Sequence, residues 1–317
     1  MHILVTGGAG FIGSHLTDRF LTEGFRVRVL DNFATGRREN IAHLANESRF
    51  ELMEGDICDP ATAAGSCKGI DVVVHEAAIP SVPRSVADPV LTHQANINGT
   101  FNLLMAARDA HVKRVVYAAS SSAYGDVETS PKVETLRPLP KSPYAVHKLV
   151  GEYYLKVFAE TFGLPTISLR YFNVFGPRQD PHSEYSAVIP AFLTRMLAGQ
   201  PPIIYGDGLA SRDFTYIRNV QEANFLAATV AKVNGEVVNV ATGRQINLLQ
   251  MVELMNKLLG TNISPTHEPE RAGDVKHSLA DITAATKLLG YRVLVPFDEG
   301  LRLTMEYYRS LAKRGKN

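Results

Sequence analysis

A chain of 317 residues is long enough to bury one large core or two modest ones. An apolar share of 45% with 21% charged residues excludes a disordered or fibrous chain. A formal net charge of +1 argues against a dedicated nucleic-acid surface or an acidic-lipid binder, and the basic run Lys313-Arg314-Gly315-Lys316 reads as a solvated tail. No apolar run approaches the ~20 residues of a membrane span, and the start MHILVTGG lacks the charged and apolar regions of a signal peptide. Cys58 and Cys67 read as reduced thiols of a cytoplasmic protein, although sequence leaves a bridge between them open. No metal is expected.

The first half alternates between two patterns. Short β-branched runs occur at His2–Val5, Val27–Leu30, Phe50–Met53, Val72–His75, Val115–Ala118 and Thr166–Leu169. Helical spacing occupies Ile12–Glu23, Val90–Ala110 and Tyr144–Phe162 between them. Apolar strands alternating with helices predict an α/β fold, a doubly wound parallel sheet with its ligand beyond the carboxyl ends of the strands. After about residue 171 prolines punctuate the pattern. A helix near Ile189–Ala198, a strand at Val237–Ala241 and helices at Leu248–Leu259, Thr283–Leu289 and Leu301–Leu311 are expected. The reading is a first domain over 1–170 and a smaller α/β substrate lobe over 171–317. The boundary is soft, because Phe214–Val220 and Val237–Ala241 are candidates to return to the first lobe.

The strand His2–Val5 runs directly into Gly7-Gly8-Ala9-Gly10-Phe11-Ile12-Gly13. Gly7 permits a tight turn, Gly10 lets backbone approach a pyrophosphate, and Gly13 lets the following helix pack on the strand. The helix start offers free N–H groups and a positive dipole end to phosphate. A glycine triplet alone is weak evidence, but this one has the strand before it and the helix after it. It also has Asp31, 18 positions past Gly13 at the next strand end. A carboxylate there accepts from ribose hydroxyls and repels a 2′-phosphate, which favours NAD over NADP. Asp56-Ile57, closing the third strand, reads as an adenine contact.

Two segments decide the chemistry. One is the serine run Ser120-Ser121-Ser122 before Tyr124-Gly125; the other is Tyr144-Ala145-Val146-His147-Lys148. Tyr144 and Lys148 share a helix face. A free phenol titrates near ~10 and is a poor base at neutral pH, so the expectation is that the nearby ammonium lowers the Tyr144 pKa. Tyr144 then becomes a base for a sugar or alcohol hydroxyl, with a serine at the strand end holding the same oxygen.

These segments, with His75-Glu76-Ala77-Ala78, Asn96 and Leu169-Arg170-Tyr171-Phe172-Asn173, resemble the extended short-chain dehydrogenase/reductases over essentially the whole chain. Within them the chain is most similar to UDP-galactose and UDP-N-acetylglucosamine 4-epimerases. The resemblance implies Tyr144 as base, Lys148 as its electrostatic partner and ribose ligand, and Ser120 and Ser122 as the catalytic and substrate-contacting hydroxyls. It implies cofactor contacts from Gly7, Gly10, Phe11, Ile12, Gly13, Asp31, Asn32, Thr35, Gly36, Asp56 and Ile57. Further along the chain, Ala77, Ala78, Asn96, Tyr144, Lys148, Tyr171 and Phe172 complete that set. Substrate contacts fall to Ser81, Ser122, Tyr144, Asn173, Val188, Tyr205, Arg212, Arg271, Asp274 and Ser278. Arg212 and Arg271 suit a diphosphate because a guanidinium fork donates two bonds at once. The family's dimer interface implies a homodimer through Val90–Ala110 and Tyr144–Phe162. Pro80 stands where the epimerases often carry a lysine, which leaves one nicotinamide or phosphate contact in doubt.

Nucleotide-sugar 4,6-dehydratases carry an Asp-Glu pair where this chain has Ser121-Ser122, so the proton donor for dehydration is missing. Ser278 aligns with a position beside the hexose. A large aromatic there restricts the pocket to glucose and galactose, and a small residue admits an N-acetyl group. The expected reaction is NAD-dependent 4-epimerisation of a UDP-hexose, with UDP-GlcNAc/UDP-GalNAc favoured and UDP-Glc/UDP-Gal within reach. The alternatives are a UDP-uronate epimerase or other nucleotide-sugar oxidoreductase, and an NAD(H)-sensing binding protein.

Overall fold

The computed structural model describes residues 1–180, 188–270 and 277–314. The strands are β1 (His2–Thr6), β2 (Arg26–Asp31), β3 (Phe50–Glu54), β4 (Val72–His75), β5 (Arg114–Ser120), β6 (Thr166–Tyr171), β7 (Val174–Phe175), β8 (Ile203–Tyr205), β9 (Ser211–Asp213), β10 (Thr215–Tyr216), β11 (Glu236–Val240), β12 (Gln245–Asn247), β13 (Thr266–Glu268) and β14 (His277–Ser278). The helices are α1 (Phe11–Thr22), α2 (Pro60–Ser66), α3 (Val82–Ala87), α4 (Pro89–His93), α5 (Gly99–Asp109), α6 (Pro143–Phe162), α7 (Val188–Leu197), α8 (Ile217–Thr229), α9 (Leu248–Leu259), α10 (Thr283–Leu289) and α11 (Phe297–Arg314).

Seven strands form one parallel sheet in the order β11-β6-β5-β4-β1-β2-β3. The β-branched runs make this possible, because both faces are covered. Ile3 and Val5 enter the core on the face of α1 and α8, whereas Leu4 enters the core on the face of α2, α5 and α6. The same alternation divides Val72 and Val74 from Val73, and Val116 from Val115 and Tyr117. Strand order reverses between β1 and β4, which places the ligand crevice at their carboxyl ends. β11, from the second half of the chain, pairs with β6 at the sheet edge. Smaller ladders, β12-β9-β14, β13-β8 and β10-β7, make up the rest. The core on the α1 face runs on without a break into Met251, Met255, Leu289 and Leu301.

Local chemistry sets the helix ends. Ser142 caps α6 by accepting from the Ala145 N–H at 3.2 Å, Pro143 stands in its first turn, and Gly163 ends it with φ 64°. The expected helix Val90–Ala110 is present as one continuous helical run from Pro89 to Asp109 that carries a π-turn in its first half. α4 stops at His93, a π-turn spans Gln94–Asn98, and α5 begins at Gly99. Asn96 sits in that π-turn and bonds the backbone of Ile79 twice, which no straight helix presents in the same way. Among the described residues no helix is long and apolar enough to cross a membrane, and Cys58 and Cys67 are free thiols.

One buried ion pair joins α6 to the sheet. Arg170 Nε and Nη2 donate to the two oxygens of Glu152 at 2.8 and 2.7 Å, with both side chains almost wholly buried. Glu152→Ala strands the guanidinium and is expected to cost about 3–5 kcal/mol in denaturant unfolding. Replacing both partners with apolar residues should recover most of that loss.

Candidate active site

The glycine turn lies where strand order reverses, and steric limits fix its composition. Gly7 has φ +69°, and a Cβ there would meet the Ala77 backbone at 2.8 Å. A Cβ on Gly13 would lie 2.1 Å from the Gly7 carbonyl oxygen. Gly10 has no side chain to cap α1, so the first amides of that helix, at Phe11 and Ile12, face outward as an anion cradle.

The adenosine-side residues form a connected loop. Asp31 is buried at the end of β2, and its carboxylate accepts from the Ala9 N–H and the Phe33 N–H, each at 2.8 Å. Each oxygen keeps a further lone pair. Burial raises its pKa while the two amides hold it down. Asn32 Nδ2 donates to Asp56 at 2.8 Å, and the Ala34 N–H donates back to Asn32. Asp56 also accepts from the Cys58 N–H at 2.7 Å, next to buried Ile57. Thr35 and Gly36 complete the loop, which returns to Ala9 through the Arg37 N–H and Asn40.

The loop after β4 carries Ala77, Ala78 and Ser81. Thr6 Oγ1 receives the Ala77 N–H at 3.3 Å. Asn96 was expected at the cofactor. Its amide accepts from the Ile79 N–H at 2.7 Å and donates to the Ile79 carbonyl at 3.0 Å, so its direct work is to hold this loop. Ser81 has φ 95° and Asn173 has φ 34°, strained values for residues with a side chain. Such strain gathers at binding sites, where surrounding structure enforces it.

Tyr144, Lys148, Ser120 and Ser122 come together. Lys148 Nζ donates to the Ala118 carbonyl of β5 at 2.7 Å. The Tyr144 phenol lies near enough to the Ser120 hydroxyl, two residues further along the same strand, for the serine to favour its phenolate. Ser122 donates to Ser120 Oγ at 2.8 Å through its hydroxyl and at 3.2 Å through its N–H. Ser85 Oγ accepts the Tyr144 N–H at 3.0 Å and so ties α6 to α3, the short helix that follows β4.

The electrostatics differ from the sequence expectation. Burial pushes the Tyr144 phenol up to about 12, Ser120 opposes that, and the Glu76 carboxylate adds to it. Burial lowers the Lys148 pKa, while Glu76 and Glu152 support its charge. The ammonium lies 6.0 Å from the Tyr144 ring centroid, too far to overcome desolvation. His75 is neutral, pulled down to about 3 by burial, with its ring between Thr6 and Thr100.

Of the residues expected at the substrate, Asn173, Arg212 and Ser278 come together across the small ladders. Asn173 Nδ2 donates to the Asp213 carbonyl at 3.0 Å and to Ser278 Oγ at 3.3 Å. Ser278 pairs in register with Arg212, which brings that guanidinium's strand alongside. Phe172 is fully buried, whereas Tyr171 turns its hydroxyl to Glu76. Val188 opens α7 and Tyr205 closes β8. Arg271 and Asp274 lie outside the described residues. Sequence reasoning assigned no role to Glu76, Ser85 or Tyr117. An acidic residue directly after the short strand Val72–His75 was the available signal for Glu76.

Gly13→Val forces side-chain atoms against the Gly7 carbonyl. The variant is expected to fold but to lose bound dinucleotide, read by nucleotide released on denaturing protein purified beside the wild type.

Comparison with known proteins agrees with this geometry. The model of the NAD dependent epimerase/dehydratase family matches residues 3–241. A UDP-glucose 4-epimerase of Mycolicibacterium smegmatis is 38% identical over 313 residues, covering 98% of this chain and 99% of that one. A UDP-N-acetylglucosamine 4-epimerase from Methanobrevibacter ruminantium, solved with UDP-N-acetylmuramic acid, has a TM-score of 0.93 and 40% identity over 98% of each chain. The Thermus thermophilus UDP-glucose 4-epimerase, solved with NAD, has a TM-score of 0.88 and 38% identity, covering 98% of this chain and 99% of that one. The cradle opened by Gly7, Gly10 and Gly13 and the Asp31 carboxylate fit such a cofactor. The chain belongs to the NAD-dependent epimerase/dehydratase family, and its cofactor is NAD.

Proposed function

We propose that this chain interconverts UDP-hexoses at C4 through a transient 4-keto sugar, with UDP-GlcNAc and UDP-GalNAc its preferred pair and UDP-Glc and UDP-Gal also accepted. The observation that carries the sugar preference is the Asn173–Ser278 contact. A small hydroxyl, not an aromatic ring, stands against the asparagine at 3.3 Å, the arrangement expected of a pocket that admits an N-acetyl group. A small residue permits a large sugar without forbidding a smaller one.

NAD, when bound, supplies the hydride acceptor and donor. The chain's own residues supply the rest. Tyr144 takes the O4 proton and returns it after the sugar has turned over. Ser120 donates to the sugar oxygen or accepts from it as the charge changes, and Ser122 orients Ser120 through the 2.8 Å bond. Lys148, fixed to Ala118, holds positive charge beneath the phenol. Asn173, Arg212 and Arg271 take the diphosphate, with Val188, Tyr205 and Asp274 around the nucleotide and Ser81 near the hexose. Buried surroundings keep Tyr144 protonated in the free protein. Its role as base therefore depends on positive charge brought close when the site is filled.

A homodimer is part of this reading. Val90 of α4, Phe101 of α5 and Val146, Tyr153, Val157 and Phe162 of α6 are exposed apolar or aromatic side chains on the helices expected at the interface. Val157→Asp combined with Tyr153→Arg should give a monomer by sedimentation, with the wild type sedimenting at twice that mass.

The activity is tested by giving the protein UDP-GlcNAc, UDP-Glc and a UDP-uronate separately and identifying products by NMR. C4 epimers of the first two are expected, and conversion of the uronate alone would overturn the assignment. Tyr144→Phe should lower kcat on the order of 10²–10⁴-fold while NAD stays bound. Ser278→Tyr should lose the N-acetylated substrates first. Equal losses on both sugars would sink the role given to Ser278.

A further inference from the structure

Glu76 follows directly on β4 and opens the turn that carries Ala77 and Ala78, in the crevice where the site lies. None of the roles above uses it. A chain of hydrogen bonds orients its carboxyl: Tyr171 Oη donates to Glu76 Oε1 at 2.6 Å, and Asn224 Nδ2 of α8 donates to Tyr171 Oη at 2.8 Å. A neutral amide at the far end leaves the tyrosine proton on the carboxyl side, so the chain is built to receive a carboxylate.

The groups facing Glu76 come from three elements. Strand register sets Tyr117 of β5 opposite His75, the residue before Glu76, with Lys148 Nζ of α6 5.0 Å from the Tyr117 ring centroid. It also sets Tyr171 of β6, which bonds Glu76, opposite Ser120, and the Glu76 charge reaches both Tyr144 and Lys148. α8 contributes only the neutral Asn224, and the adjacent His75 is occupied by two threonine hydroxyls. Lys148 is the one cation among them. Its other acidic neighbour, Glu152, is already held by both arms of Arg170. Glu76 is thus the carboxylate left to balance the buried ammonium.

We propose that Glu76 is a positioning residue for the reaction, the counter-charge that keeps Lys148 an ammonium and at the same time restrains Tyr144 from losing its proton. The inference rests on the roles given to Tyr144 and Lys148 under the proposed function. One carboxylate therefore acts on both members of the pair in the same sense. Its negative charge raises the pH at which Tyr144 ionises and the pH at which Lys148 becomes neutral. Burial in turn pushes the Glu76 carboxyl well above the usual range, opposed by the Tyr171 bond and Lys148. Its charge is therefore set within the working range of the enzyme and not far below it.

The test uses the protein carrying its NAD. The near-ultraviolet phenolate titration of each variant, minus that of the same variant with Tyr144→Phe, isolates the Tyr144 ionisation whether or not any sugar turns over. Glu76→Gln should move that midpoint to lower pH by about one unit, the size expected for one charge a few ångströms away at a partly solvated site. Both limbs of the log kcat–pH profile should move the same way, and Glu76→Asp should restore most of the shift. Glu76→Met removes the same charge with a side chain of similar length, so the same shift appears. This second variant keeps the test available if the glutamine protein does not fold. A phenolate midpoint unmoved by Glu76→Gln, or moved to higher pH, overturns the proposal even in an active enzyme. Absence of epimerisation by the wild-type protein, with the variant's midpoint displaced as expected, overturns the functional reading and leaves the electrostatic role of Glu76 standing.

Discussion

The bond from Lys148 Nζ to the Ala118 carbonyl is the contact on which the site's geometry turns. It fixes the rotation of α6 over β5. Tyr144 lies one helical turn before Lys148 on the same face, and Ser120 lies two strand residues after Ala118. A turn of helix advances about 5.4 Å and two strand residues about 6.6 Å, so the two steps nearly match. With one end pinned, phenol and serine meet without a further constraint. Ser142, Pro143 and the Ser85–Tyr144 bond then hold the first turn of the helix against α3. The charge of the lysine and its geometry are inseparable here, because the ammonium that anchors the helix also sets the field at the phenol.

That field is weaker at the phenol than the YxxxK spacing suggests. Spacing specifies which groups are neighbours, and a neighbouring ammonium favours a phenolate. Burial favours the neutral phenol, and in this protein burial wins. The carboxylate of Glu76 works on the same side as burial. A phenol held protonated until the site is filled does not act as a base on water or on stray ligands. The same desolvation acts on Lys148 and lowers its pKa, which is why the carboxylates around it matter.

Much of the fold is legible in the sequence because its signals are local. The strands up to Thr166–Leu169 are β-branched runs, and a strand buried on both faces has little other way to appear. The glycine turn, Asp31, the serine run and Tyr144/Lys148 are local as well, each a few residues long. What escapes is set by contacts distant in sequence. The π-turn within Val90–Ala110 accompanies Asn96 bonding Ile79, 17 residues away. Glu76 is a side chain in a quoted motif until Tyr171 reaches it across 95 residues. The short strands β7 to β10 and β12 to β14 carry two or three residues each, too few for any periodicity. Their pairing is decided by the strands they find.

The substrate half shows the same division. Arg212 and Ser278 are far apart in the chain, yet β9 and β14 set them in register, and Asn173 reaches Ser278 from the end of β6. The strained φ of Asn173 is enforced from both sides, by the Asp213 carbonyl and by the pairing of β7 with β10. Asp213 itself is fully buried and spends its carboxylate on Thr242 and Gly243, so the ladder behind Arg212 is rigid. On the proposed function, a pocket built this way changes its sugar by exchanging one side chain on a two-residue strand while the proposed diphosphate and cofactor contacts stay in place. That reading confines selectivity among UDP-sugars to a few positions such as Ser278 and holds the proposed hydride and proton chemistry apart from it on the main sheet.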